Sequence, residues 1–317
     1  MHPLLRSTTI ALTLCLHAAL SASAADPTPK PKTEPTFANV AYGTHERQVL
    51  DFYKAESDKP TPVLFFIHGG GWVNGDKANP SELRDCLAAG ISVVSINYRY
   101  STQAHLEGVM PPVKWPLEDA ARALQFVRSK AAEWNIQKAR IGASGGSAGA
   151  CSSLYLAFHD DMADPKSADP VARESTRLWC AAVNGAQTSL DPKQLIEWTP
   201  NSRYGGHAFG FMDPADKKTR DTRFAEFLEK RESVLKWIRM YSPYELVSKD
   251  DPAVYLRYTD TPALGQPQKD PTHTVNYGVK LQEHCKALGV ECELNYPGAP
   301  DVKHASISAF LIEKLKQ

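Results

Sequence analysis

The sequence has 317 residues, room for one large domain with a well-buried core or for two small ones. Lysine plus arginine and aspartate plus glutamate both total 36, and neither sign forms a tract. That balance argues against a nucleic-acid-binding surface and against an acidic cation store, and the 42% hydrophobic content reads as an ordinary globular protein.

The first 25 residues read as a leader. Arg6 is followed by the apolar run Ile10 to Leu20 and by Ser21-Ala22-Ser23-Ala24-Ala25, small residues suited to cleavage. The run is too short for a stable membrane anchor, so export to a periplasmic or extracellular location is expected. Residues 26–36 carry prolines that block helix and sheet pairing and read as an extended linker, leaving residues 37–317 as the folded domain. Outside the leader stand five cysteines, an odd number. Cys151 and Cys180 lie in apolar runs as small core residues. Cys285 and Cys292 are spaced to close a short loop in an oxidising compartment.

From Val40 onward short apolar strands alternate with amphipathic helices. Strands are expected at Val63–Ile67, Ile91–Tyr98, Arg140–Ser144, Leu178–Asn184, Ala253–Leu256 and Cys292–Tyr296. Between them, helical spacing covers Pro116–Asn135, Ala148–Phe158, Val279–Ala287 and Ser306–Leu315. This is the pattern of an α/β fold, a mostly parallel central sheet with helices on both faces. One stretch, residues 189–244, breaks the rhythm. Its aromatics and its helical spacing over Thr222–Ile238 suggest a lid or cap insertion over the carboxyl edge of the sheet.

Gly145-Gly146-Ser147-Ala148-Gly149 sits between a strand and a helix, the setting of a nucleophile elbow. The sharp turn crowds backbone against backbone, so small flanking residues are required. An overlapping match, Gly142-Ala143-Ser144-Gly145-Gly146, would cut the strand short, and the strand–turn–helix context selects Ser147. Earlier in the chain His68-Gly69-Gly70-Gly71-Trp72 closes a strand. Its glycines let backbone N–H groups approach a developing oxyanion, with Gly70, Gly71 and Ala148 as the expected donors. His68, at a strand end, reads as a structural hydrogen-bonding residue, and Trp72 as packing.

These residues carry a family resemblance. Asp51-Phe52-Tyr53, His68-Gly69-Gly70-Gly71-Trp72-Val73-Asn74-Gly75-Asp76-Lys77, Asn97-Tyr98-Arg99, Asp119 and the serine motif resemble, in that order, the BD-FAE and hormone-sensitive-lipase-like esterases. The resemblance implies the α/β-hydrolase fold, a Ser–Asp–His triad and no cofactor. It also implies small-molecule or carbohydrate ester substrates, often acetylated or feruloylated polysaccharides. In that fold the acid and then the histidine follow the serine, the histidine after the last strand. His304, beyond Cys292–Tyr296, occupies that place. Asp270 and Asp260 both follow the strand ending near Leu256; Asp270 stands at the spacing usual for the family, and Asp260 is the alternative acid. His273, beside Asp270, reads as a capping or solvent-exposed residue. Two other readings stay open: an amidase or peptidase on the same fold, and a non-catalytic binding protein whose acid and histidine fail to converge on Ser147.

Overall fold

A computed structural model of the chain describes residues 33–211, 216 and 218–317. The expected leader and most of the expected linker therefore lie outside the described residues. Residues Glu34–Gln317 form one compact unit built on an eight-stranded sheet. The strands are β1 (Phe37–Ala41), β2 (Val49–Tyr53), β3 (Thr61–Ile67), β4 (Ser92–Ile96), β5 (Ile136–Gly146), β6 (Cys180–Asn184), β7 (Ala253–Arg257) and β8 (Cys292–Asn295). Their order in the sheet is β1-β2-β4-β3-β5-β6-β7-β8. The β1–β2 and β2–β4 pairs are antiparallel and every other pair is parallel.

The six strands expected from periodicity are all present. The first two fall outside that expectation, because β1 is mostly exposed and β2 lies within a segment that reads only as a motif. The strand ahead of the elbow is also longer than expected, running from Ile136 to Gly146.

Alternation along each strand divides the core into two layers. Val63, Phe65 and Ile67 face α3 (Lys114–Ser129), α5 (Ala148–Phe158) and α10 (Asn276–Leu288) through Leu117, Leu124, Leu154 and Leu281. Leu64 faces the other way, with Val93, Cys180 and Tyr255, against α1 (Leu83–Ala88) and α11 (Ile307–Lys316). Helices thus cover both faces of a mostly parallel sheet, the α/β-hydrolase architecture. Between β6 and β7 the chain makes a helical excursion that carries a 3-10 turn at Gly206–Phe209 and helices including Arg220–Glu229 and Arg231–Tyr241. Among the described residues no helix is long and apolar enough to cross a membrane. All five cysteines described are free thiols, so the expected Cys285–Cys292 bridge is not formed in this structure.

The sheet order places the site. From β3 the chain passes to β4 on one side and later to β5 on the other, so β3 and β5 are neighbours at a topological switch point. The loops leaving their carboxyl ends diverge there and open a crevice. Those two loops are the His68 glycine loop and the Ser147 turn.

Candidate active site

Ser147 sits at the tip of a strained turn, with φ 54° and ψ −121°. A non-glycine residue holds such a conformation only when its surroundings impose it. Here they do so by close packing. A Cβ on Gly145 would lie 2.7 Å from the Gly149 carbonyl carbon, and one on Gly149 would lie 2.7 Å from the His68 carbonyl oxygen and press on that of Ile67. Helix α5 therefore starts directly on β3, and no side chain fits between. Gly149→Ala should cost about 3–5 kcal/mol of stability, because backbone has to move to admit the methyl group. Chemical denaturation checks this, and a loss under about 1 kcal/mol would contradict the packing described.

Ser144, the overlapping candidate, remains inside β5. It is 1% exposed, and its hydroxyl lies 3.3 Å from the Glu82 carboxylate. It has no route to a substrate.

The glycine loop lies across the elbow. Gly70, Gly71 and Trp72 all take positive φ, and a Cβ on Gly69 would stand 2.7 Å from the Gly146 carbonyl oxygen. Among the described residues neither Gly70 nor Gly71 donates its N–H to a backbone acceptor. Ala148, in the first turn of α5, has no acceptor within its own helix. The loop is anchored from below. The Trp72 indole N–H donates to Ser152 Oγ at 2.9 Å, and Lys77 pairs with Asp51 at 2.9 Å. His68 stacks on Tyr98, and its Nδ1 donates to the Gly69 carbonyl at 2.7 Å. Burial pushes the His68 pKa down to about 4, so the ring is a neutral, structural group.

The imidazole at Ser147 is His273, not His304. His273 Nε2 lies 3.0 Å from Ser147 Oγ, and His273 Nδ1 lies 2.8 Å from Asp270 Oδ2. Asp270 and His273 stand three residues apart in the β7–α10 loop. The turn that presents them is local: Asp270 Oδ1 accepts from the N–H groups of Thr272 (3.1 Å) and His273 (3.3 Å), with Pro271 between. The rest of the fold aims that turn. Tyr277 Oη donates to the Pro271 carbonyl at 2.9 Å, and Gln187 Nε2 donates to the Thr272 carbonyl at 2.8 Å. Burial raises the Asp270 pKa, but the hydrogen bonds from His273 and the backbone outweigh it, and the carboxyl is held below its ordinary value. Asp260, the alternative acid, instead accepts the Val275 N–H at 3.1 Å and steadies the start of α10.

The expectation for His304 is thus corrected. It does follow the last strand, but both ring nitrogens are taken on the α11 side of the sheet. Nδ1 is 2.6 Å from Glu293 of β8, and Nε2 is 3.1 Å from Glu313 of α11. Its backbone N–H also donates to Glu293 at 2.7 Å, and its ring packs edge-on against Phe310. Burial lowers the His304 pKa, but the two carboxylates outweigh it and raise the pKa above the ordinary imidazole value. A raised folded pKa contributes stability that is complete below the unfolded value, about 6.5, and is lost as pH rises through the folded value. The melting temperature of His304→Gln should therefore fall furthest below wild type at about pH 6, with the gap closing as pH is raised into the alkaline range. A gap that is constant across that range would contradict this.

A cavity of about 580 Å³ opens at Ser147, Asp270 and His273 and is lined further by Asp76, Asn79, Ser81 and Asn184. The opening is polar. Asp76 is held below the usual carboxylate range, because hydrogen bonds from Asn97 and the Ala78 N–H outweigh its burial, so it presents a negative charge there.

Comparison with known proteins bears on the family and the fold. The BD-FAE family model matches residues 50–264, which include the glycine loop, the elbow and Asp260 but stop short of Asp270 and His273. Esterase LipC of Mycobacterium tuberculosis is 28% identical over 60% of this chain and 41% of its own length. The chain spans less than half the length of the curated relatives it matches. Among solved structures, a truncated carbohydrate esterase from gut microbiota superposes with a TM-score of 0.66 at 21% identity, covering 91% of this chain and 99% of that one. The acetyl ester-xyloside bifunctional hydrolase from Caldicellulosiruptor lactoaceticus does so with a TM-score of 0.57 at 24% identity, over 78% and 76%. At such identities the structures establish a shared fold.

Proposed function

The chain belongs to the BD-FAE family, and on that footing we propose that it is a serine carboxylic-ester hydrolase acting through an acyl-enzyme. The observation that carries the reading is the relay Ser147 Oγ–His273 Nε2 at 3.0 Å and His273 Nδ1–Asp270 Oδ2 at 2.8 Å. The ionised Asp270 keeps the proton on Nδ1 and leaves the Nε2 lone pair towards Ser147. His273 takes the hydroxyl proton as Ser147 Oγ forms a bond to the ester carbonyl carbon. The carbonyl electrons move onto oxygen, which the Gly70, Gly71 and Ala148 N–H groups stabilise. Collapse breaks the bond to the alcohol, which leaves with the proton from His273. Water, deprotonated by the same nitrogen, then releases the acid and frees Ser147.

The leaving alcohol occupies the cavity beside His273. Its lining by Asp76, Asn79, Ser81 and Asn184 supports a polyhydroxylated alcohol, and so an acetylated or feruloylated carbohydrate. The Caldicellulosiruptor neighbour, an acetyl ester-xyloside hydrolase, lends the same direction from a protein that shares the fold. Convergence of His273 and Asp270 on Ser147 speaks against a non-catalytic binding protein.

Wild-type protein should hydrolyse p-nitrophenyl acetate and gain one fluorophosphonate label, with both properties lost in Ser147→Ala. A wild type that neither turns over the ester nor takes the label would sink the proposal. So would Ser147→Ala with full activity. A matched acetanilide, run alongside, should be cleaved far more slowly, and comparable rates would make the protein an amidase.

A further inference from the structure

The cavity at Ser147 carries an unbalanced charge. Among the described residues its lining holds two carboxylates, Asp76 and Asp270, and no lysine or arginine. Asp270 is matched to the His273 imidazole at 2.8 Å. Asp76 has no such partner. Among the described residues its oxygens accept only from uncharged donors, the Ala78 N–H at 2.9 Å and Asn97 Nδ2 at 2.8 Å. Burial works against its charge, but those two hydrogen bonds outweigh it and hold Asp76 ionised. They also fix the group in place, and each oxygen keeps a lone pair that they do not use. The cations close by in the chain or the sheet are placed elsewhere. Lys77 turns to Asp51 at 2.9 Å, and Arg47 donates to the carbonyls of Tyr98 (2.8 Å) and Gly75 (3.2 Å). Arg257, opposite Asn184 in the β6–β7 register, does not line the cavity. His68 does, but its burial keeps it neutral.

A fixed charge in a cleft concentrates ligands of the opposite sign and repels those of its own. In the mechanism proposed above, on which this inference rests, the same cavity receives the leaving alcohol. We propose that Asp76 selects that alcohol by charge, favouring one that carries a cationic group and refusing one that carries an anionic group. Among carbohydrate esters the order is amino sugars first, neutral sugars next and uronic acids last. Asn79, Ser81 and Asn184 supply uncharged partners for the hydroxyl groups in each case, so the charge of the alcohol is what Asp76 adds to the choice.

The test compares kcat/KM for three acetate esters that differ in the charge of the alcohol: acetylcholine, its uncharged isostere 3,3-dimethylbutyl acetate, and the anion 4-acetoxybutyrate. Each is run with wild type, Asp76→Asn and Ser81→Lys, with folding followed by thermal melts. Wild type should favour the cation over the anion at least about tenfold, the scale of one charge pair a few ångströms apart in a partly screened cleft, with the neutral ester between them. Raising salt from about 0.05 M to about 0.5 M should shrink that ratio, as it would not for a preference based on shape. Asp76→Asn should lower the cation-to-anion ratio at least about fivefold. Ser81→Lys leaves the Asp76 contacts intact, brings a positive charge into the same lining and must move the ratio in the same direction, so it decides the matter should Asp76→Asn fail to fold. A wild type that is indifferent to charge or prefers the anion overturns the proposal. So does a preference untouched by salt, or a folded Asp76→Asn or Ser81→Lys with the wild-type ratio. Failure of the hydrolase reading itself is a different result: no wild-type turnover of any ester, or turnover that survives Ser147→Ala.

Discussion

His273→Ala should lower kcat for p-nitrophenyl acetate by about 10⁴-fold or more, while His304→Ala keeps kcat within about threefold of wild type. The size of the first effect follows from what is lost. Without Nε2 at 3.0 Å from Ser147 Oγ, the hydroxyl must attack with its proton in place, and no group remains to protonate the alcohol. The oxyanion donors would still act, so a residue of catalysis over water should survive. His304 tests the opposite case. Its nitrogens are occupied by Glu293 and Glu313, so its loss should appear in the melting temperature rather than in turnover. Steady-state kinetics and thermal melts on the two variants separate the assignments. Equal losses of kcat, or a larger loss in His304→Ala, would return the catalytic histidine to the loop after β8.

Asp270→Asn should lower kcat by about 10²–10³-fold, less than the roughly 10⁴-fold cost of losing a buried triad acid. The reason is exposure. The Asp270 side chain is 63% exposed and that of His273 39%, so water shares the work of stabilising the imidazolium as it forms. What the amide cannot do is hold one tautomer, since its NH₂ group can turn to His273 Nδ1 as readily as its oxygen. The KM should change little. Asp260→Asn provides the contrast, because among the described residues that carboxylate hydrogen-bonds only to the Val275 N–H at the start of α10. Its cost should be about 1 kcal/mol of stability and less than about tenfold in kcat. An Asp260→Asn defect in kcat as deep as that of Asp270→Asn would transfer the acid to Asp260.

Most of the architecture was legible in order along the chain. Val63–Ile67, Ile91–Tyr98 and Ala253–Leu256 are β-branched or apolar runs bounded by breakers, and the strands lie within or close to those limits. The helix after the elbow begins at Ala148, as the glycine pattern implies. Legibility fails where a strand is exposed or where a boundary depends on pairing. β1 lies at the sheet edge against β2, is mostly exposed and is interrupted by Asn39 at positive φ, so no buried run announces it. The start of β5 at Ile136 depends on its pairing with Thr61, a partner from a distant part of the chain.

The candidate site divides the same way. Asp-Pro-Thr-His is a local signal, since an aspartate capping a proline turn holds the residue three positions on beside its own carboxylate. Read alone, it names an Asp–His pair but does not say where the pair points. Its aim comes from Gln187 after β6 and Tyr277 of α10, which hold the loop by its carbonyls. His304 had the place that the fold rule favours, and two glutamates 11 residues before it and 9 after it removed it from the site.

The sequence by itself marked the candidate nucleophile and the candidate oxyanion loop, because both depend on glycines whose absent side chains are a local, readable requirement. Gly145 and Gly149 admit no Cβ against β3 and the glycine loop, and that constraint leaves Ser147 alone at the turn. Tertiary structure decided which imidazole lies beside it. A histidine's partners depend on the face its loop presents after the strands have paired and the helices have docked. For His304 that face holds Glu293 and Glu313; for His273 it holds Ser147.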